Sequence, residues 1–444
     1  MSCVQGNYRD VLGVYHRGTP GHRDWMGLAI TTLMDMAVRA RHRIEVRGHE
    51  NYTHLPHTLV VANHCRDTDG PIVASLLMQR RGLRFHGAIA SFVAREDLFT
   101  PGFLERYLTH YPTAIRRLAG RINIRPLIEG AGAYPIRRIQ ERTLGEVLTD
   151  VLRVFGNLPL EEVLRPSWAE RFGAALGCAP AALTTCDALD QRCHQLTAMR
   201  GGYRRLRTAC FRRLKPFERA VIEAQLARFI ALLEAGEPVI LKPEGVVSPD
   251  GSLSRPRAAL YMLINRVAAP LCVLPVSITY DCMDSEARVF LCVGRQISRL
   301  RGLPKTEIET RIMEDVRSGR TVTCSQLAAH RLLCLARAGR HRLCESELRE
   351  FVTAAAHACN AAGLYVDPRL HEHTQCSRRV SGWLQYCLRR GLLYTEGSDG
   401  YRTGQLDLPP SWLINPKVSL LRYLDNELQT ILGGPLPALS ALDP

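Results

Sequence analysis

Val60-Val61-Ala62-Asn63-His64-Cys65-Arg66-Asp67-Thr68-Asp69-Gly70-Pro71 is the stretch from which the fold of this chain is read. The apolar, β-branched run from Leu59 to Ala62 predicts a buried strand, and it stops abruptly at Asn63-His64. Gly70-Pro71 then opens a segment of helical character, Ile72 to Leu77. His64 is thereby placed at the mouth of a strand, with Asp69 five residues on, near the first helical turn. From there a carboxylate can reach back to the imidazole and accept a bond from Nδ1–H, which leaves Nε2 to take a proton from a substrate hydroxyl. The pattern supplies a base and its orienter without a protein nucleophile.

The segments around this stretch repeat the strand-then-helix order. Arg43 to Gly48 alternates polar and apolar residues and ends in a turn, Arg84 to Val93 reads as a second strand region, and Ala133 to Ile136 as a third that leads into Arg137 and Arg138. Glu218 to Ala235 predicts a long amphipathic helix that stops at Gly236. Pro238 to Leu241 is then a buried strand delivering Lys242-Pro243-Glu244-Gly245, Ala258 to Ala268 is helical, and Cys272 to Ile278 is a last core strand. Strands separated by helices predict an α/β fold, a central mixed sheet flanked by helices with its site at the strand ends. Beyond Leu300 the pattern turns mainly helical: Thr323 can cap a helix to Arg337, Ser346 one toward Ala362, and Ser377 to Arg390 is another. Leu392 to Thr403 reads as a helix end followed by a hairpin, faintly like a winged helix.

Composition bounds the partners. The chain has 444 residues, 46% of them hydrophobic, which is long enough for a large core and argues against general disorder. No apolar run of about eighteen residues predicts a transmembrane helix, and no signal peptide is visible. Fifteen cysteines carry no C-x2-C pair, so neither a metal site nor a disulfide framework is expected, and a reducing cytoplasm is. The net charge of +15 suits anionic partners. Trp25 to Val38, followed by Arg39, Arg41 and Arg43, fits either a helix lying on a membrane or one packed on the domain. Arg200, Arg204, Arg205, Arg207, Arg212, Arg213 and Lys215 fall in a stretch without an acidic residue, as a lipid-facing surface or a solvated helix face.

Four blocks occur in order: Asn63-His64-x4-Asp69, Gly132-Ala133-Tyr134-Pro135-Ile136-Arg137-Arg138, Lys242-Pro243-Glu244-Gly245, and Val273 to Asp281. Together they resemble the motifs of the glycerolipid acyltransferase superfamily, the glycerol-3-phosphate and lysophosphatidate acyltransferases, over roughly residues 45 to 295. The resemblance implies a sheet of the glycerol-3-phosphate acyltransferase kind, within a domain spanning 45–300; the helical, basic stretch at about 139–216 is longer than the resemblance leads one to expect and reads as an insertion. An N-terminal, membrane-associating segment (1–44) precedes the domain and a mainly helical domain (301–444) comes after it.

The resemblance further implies transfer of a fatty acyl group from acyl-CoA or acyl carrier protein, as co-substrate rather than cofactor, to glycerol 3-phosphate or a lysophospholipid. His64 and Asp69 would be catalytic. Arg137, with Arg138 adjacent, matches the arginine that holds the acceptor phosphate; Glu244 and Gly245, preceded by Lys242, would line the acceptor pocket. The chain departs from the family where Val246 and Val247 replace a small residue and a second phosphate-binding arginine, a role open to Arg255 or Arg257. The expectation is a cytoplasmic enzyme held peripherally on an anionic membrane, needing no metal and binding no nucleic acid. The alternatives are acylation of an unphosphorylated alcohol, and a non-catalytic basic module that binds lipid or nucleic acid.

Overall fold

The computed structural model describes residues 25–52, 56–77, 79–81, 84–86, 90–99, 103–107, 112–283, 288–397, 400–413 and 416–434. In chain order the elements that matter here begin with α1 (Trp25–Arg41), β1 (Arg43–Arg47), β2 (Thr58–Ala62), α2 (Asp69–Leu77), β3 (Ser91–Arg95) and β4 (Ala133–Ile136). Next come α3 (Leu144–Phe155), α4 (Thr208–Glu234), β5 (Val239–Leu241), α5 (Ala258–Arg266), β6 (Cys272–Asp281) and β7 (Arg288–Val293). The C-terminal helices are α6 (Lys305–Ser318), α7 (Cys324–Arg337), α8 (Glu345–Ala361), α9 (His373–Arg389) and α10 (Leu420–Leu432). The chain divides into two compact units, a smaller one from 93–129 and 133–231 and a larger one from 23–92, 130–132 and 232–444.

In the larger unit the strands lie in the order β1-β7-β6-β2-β5, with Ser91 and Phe92 pairing alongside β5. All these pairs are parallel except β6 with β7, which run antiparallel. In register, Val60 lies between Leu274 and Ile240. Every residue of β2, β5 and β6 is buried; β2 and β5 read as nearly unbroken apolar runs, as parallel strands covered on both faces do, while β6 also buries Ser277, Thr279 and Asp281. Val60, Ile72, Val73, Ile240, Leu274, Ile278 and Leu291 form the core under the site. The mixed α/β sheet is the one expected; β7 is an added strand, and the expected strand from Arg84 to Val93 is split, with Arg84–His86 pairing in a separate two-stranded ribbon.

The same unit carries residues 301–434. Helix α7 starts after Thr323 as expected, with the Thr323 N–H donating to Gln326 Oε1 at 3.0 Å while its hydroxyl has no partner among the described residues, whereas α8 starts at Glu345 and puts Ser346 inside its first turn. The hairpin of Leu393–Glu396 and Gly400–Thr403 gains a third strand, Arg342–Cys344. Helix α10 had no signal singled out for it, yet it packs through Leu421, Leu424 and Leu428 into the core of Leu327, Leu332, Val380 and Trp383. It also grips the loop after Glu244. Asn426 donates to the Asp250 carbonyl at 2.8 Å, and Gly251, at φ +89°, lies so close to the Tyr423 carbonyl that a Cβ would sit 2.1 Å from its oxygen.

The smaller unit packs Leu144, Val147, Val151, Leu206, Leu214 and Phe217 around its centre. Thr143 and Glu146 cap α3 reciprocally. Helix α4 starts ten residues earlier than the Glu218 expected and absorbs the end of the basic run. Leu206 and Leu214 of that run are buried while Arg200, Arg204, Arg207, Arg212, Arg213 and Lys215 are exposed, so the apolar side chains serve the core and the charges face solvent. No described helix is long and apolar enough to cross a membrane.

Candidate functional site

β2 and β5 are parallel neighbours, so the residues after Ala62 and those after Leu241 emerge at the same edge of the sheet. That topology brings the first and third sequence blocks together. Asn63 turns the chain: its side-chain amide donates to the Ile278 carbonyl at 2.9 Å and its Oδ1 accepts from the Ile278 N–H at 2.8 Å. The Ser248 N–H donates to the His64 carbonyl at 2.9 Å, and Lys242 Nζ donates to the Asn63 carbonyl at 3.3 Å. The histidine backbone is thus pinned from β6 and from the Lys242 loop.

His64 Nδ1 lies 3.1 Å from Asp69 Oδ2. That oxygen also accepts the backbone N–H groups of Cys65 (2.6 Å) and Arg66 (2.9 Å), and Oδ1 accepts the Tyr280 hydroxyl at 2.6 Å. Lys242 Nζ stands 3.9 Å away. Burial pushes the Asp69 carboxyl up, but the Lys242 ammonium, the bond to His64 and the Arg66 N–H outweigh it and hold it at about 2. Burial in turn lowers Lys242, against the pull of Asp69. A permanently ionised, fully bonded carboxylate fixes one imidazole face, and among the described residues no hydrogen bond occupies Nε2.

Glu244 is buried at the neighbouring strand end. Its Oε2 has no hydrogen-bond partner among the described residues. Burial raises its carboxyl to about 8, even though Arg320 and the backbone N–H groups of His64 and Ser254 favour the charged form. Near neutral pH the carboxyl keeps its proton and can serve as a hydrogen-bond donor. Gly245 turns at φ +73°, with Arg257 Cγ only 3.1 Å from where a Cβ would stand. Arg257 Nε donates to the Glu244 carbonyl at 3.2 Å, and its N–H to the Pro243 carbonyl. Arg257 is otherwise exposed, at the first turn of α5. Arg255 is exposed on the same loop and makes no ion pair among the described residues.

Arg137 and Arg138 belong to the smaller unit. Arg137 is buried there in an ion cluster: Nε and Nη2 donate to Glu96 at 2.8 and 2.9 Å, and Nη1 to Asp150 and Glu218 at 3.0 and 3.1 Å. Its backbone N–H donates to Gln225 and its guanidinium lies over Phe217. Arg142 joins Asp150 and Glu218 from the other side. Arg138 pairs with Glu141 at 3.3 Å. The Arg137 fork is therefore already satisfied by three carboxylates.

Sequence reasoning assigned no role to several neighbours. Tyr280 stood in the fourth block, but its bond to Asp69 depends on the strand's length beyond Ile278. Arg66 lies over the rings of Tyr280 and Trp412, 4.2 and 4.4 Å from their centroids, and donates to Cys282 Sγ. Arg320, buried, donates to Glu427 Oε1 of α10 at 2.6 Å, and Gln326 to Oε2 at 3.2 Å. No local pattern marks Arg320 or Glu427, since each has meaning only through a partner 107 residues away. Among the described residues no cluster of His, Cys, Asp and Glu could hold a metal.

Comparisons with known proteins add little to this geometry. No protein-family model matches the chain and no curated protein matches it. Among solved structures, the chain is similar to the 1-acyl-sn-glycerophosphate acyltransferase PlsC of Thermotoga maritima, at 16% identity over 67% of this chain and 79% of that one, with a TM-score of 0.34.

Proposed function

We propose that this chain is an acyltransferase that moves a fatty acyl group from a CoA or acyl-carrier-protein thioester to the hydroxyl of a glycerol phosphate acceptor, glycerol 3-phosphate or lysophosphatidate. The observation that carries the reading is the His64–Asp69 pair at a strand end, with the aspartate held by three further donors and Glu244 on the adjacent strand end. His64 Nε2 takes the acceptor's proton as its oxygen attacks the thioester carbonyl. The tetrahedral intermediate expels the thiolate, which recovers the proton from the imidazolium. Glu244, as an acid, donates to an acceptor oxygen, and Arg257 supplies a guanidinium for the phosphate in place of the missing family arginine.

Direct transfer is favoured over an acyl-enzyme because no hydroxyl or thiol hydrogen-bonds to His64 Nε2 among the described residues. Cys65, the nearest thiol in sequence, faces the Ile278 carbonyl and Glu427, and burial raises it well above its ordinary range. An uncharged alcohol is the second reading, favoured by Val246 and Val247 and by the engaged state of Arg137.

The test is thiol release from acyl-CoA with and without glycerol 3-phosphate. Release that depends on the acceptor, and falls roughly a hundred- to ten-thousand-fold in His64→Ala, supports the reading. Near wild-type turnover in His64→Ala refutes it, and equal release with glycerol alone moves the acceptor to the uncharged class.

A further inference from the structure

Three carboxyls and one guanidinium lie buried behind the His64 loop. Arg320 is enclosed, and its charge is felt by Glu427, Cys65, Tyr423 and Glu244. Among the described residues Glu427 alone takes a direct bond from it, at 2.6 Å, and Glu427 is fixed from its other oxygen by Gln326. Arg320 Nε is buried without a hydrogen-bond partner among the described residues, as is Glu244 Oε2. A guanidinium freed from Glu427 would have one buried carboxyl left to neutralise it on this side, because Asp69 is already saturated by His64, Tyr280 and two backbone N–H groups.

We propose that Glu427, carried on the C-terminal helix α10, is a positioning residue for the acyl-transfer site: by holding the Arg320 guanidinium it leaves the Glu244 carboxyl uncommitted and available to the acceptor. The inference rests on the acyltransferase reading and extends it to a part of the chain where the family resemblance found nothing. Helix α10 can do this because it is seated by its own contacts. The Asn426 bond to Asp250 and the Gly251–Tyr423 approach set its register against the loop after Glu244. Cys65, whose N–H donates to Asp69, also directs its thiol toward Glu427 at 3.9 Å.

Removing the Glu427 charge transfers the pull of Arg320 to Glu244, which then ionises more readily. The groups facing Glu244 are Arg320, Asp69, Lys242 and Cys65, with N–H groups from His64 and Ser254; those facing Glu427 are Arg320, Arg66, Gln326, Cys65, Cys282 and Tyr423. Arg320 and Cys65 face both, and of the two Arg320 is the charged one, so it carries the coupling.

The experiment is the pH profile of kcat/KM for acyl transfer in wild type, Glu427→Gln, Glu244→Gln and the double variant. The alkaline limb set by Glu244 is expected to move down by on the order of one pH unit in Glu427→Gln, roughly a tenfold loss above the limb. The effect should be restored by Glu427→Asp and absent when Glu244→Gln is already present. An unchanged limb in Glu427→Gln, or the same loss in both Glu244 backgrounds, overturns the proposal. If the glutamine variant does not fold, Glu427→Asn, which also removes the charge, decides by the same downward shift of the limb. Loss of all dependence on His64 would instead refute the acyltransferase reading itself, so the two failures are distinct.

Discussion

Glu244→Gln tests the electrostatics of the site without substrate. In the folded chain the carboxyl is raised to about 8 from an ordinary value of 4.5, chiefly by burial. Between those values the folded state keeps a proton that the unfolded chain has lost, so stability falls as pH rises through the window and levels off above it. At 1.36 kcal/mol per unit, the fall amounts to about 3 kcal/mol at pH 7 and about 5 kcal/mol beyond pH 8. Glutamine has nearly the same shape and carries the same neutral charge as the acid, so it keeps the packing and removes the titration. The measurement is urea unfolding of both proteins from pH 4.5 to 8.5, read as the difference between them at each pH. Groups that do not sense Glu244 cancel in that difference. Glu244→Gln should gain on wild type as pH rises, by about 3 kcal/mol at pH 7. Parallel curves would refute the claim that Glu244 is held as an acid, and with it the donor role assigned to it.

Arg137→Ala takes from Glu96, Asp150 and Glu218 the buried guanidinium that all three share, so it should destabilise the chain by about 3–5 kcal/mol in denaturant unfolding; unchanged stability with a raised KM for the phosphorylated acceptor would return Arg137 to the role of phosphate anchor. Gly251→Ala must place a Cβ against the Tyr423 carbonyl at positive φ, and should lower stability by about 2 kcal/mol or more together with kcat, checked by thermal melting and turnover. The exposed arginines from 200 to 213 should make sedimentation with anionic vesicles salt-sensitive, at about 1 kcal/mol per arginine in contact; equal binding to neutral vesicles would refute the charge argument.

What could be read from the sequence was whatever is local. The buried parallel strands β2 and β5 show as apolar runs, and the positions of His64 and of Lys242 to Gly245 are set by where those runs stop. Thr323 with Gln326 signals its own helix start. The strand β7 was missed because Arg288-Val289-Phe290-Leu291-Cys292-Val293 opens with a charged residue, and that arginine is buried against Asp367, a partner far along the chain. Arg137 shows the reverse case. A motif match assigns it a phosphate, whereas the three carboxylates around it come from residues 96, 150 and 218, which no spacing rule associates with it.

The site itself has the same two layers. The His64–Asp69 pair spans five residues and is visible to anyone who asks what a strand end can hold. Its tuning comes from further away. Tyr280 reaches Asp69 only because β6 runs three residues past the last apolar position read from the pattern, and Lys242 reaches it only because β5 is the parallel neighbour of β2. The Arg320–Glu427 pair is more remote still, since it depends on α10 folding back onto Asp250 and Gly251. A base and its orienter can therefore be carried by one short motif, but the charge state of Glu244 beside them cannot: it is set by burial and by the partner that Arg320 finds on the last described helix. On the proposed function, chemistry that needs Glu244 as an acid would make residues 301–434 part of the catalytic unit, even though the motifs end near residue 281.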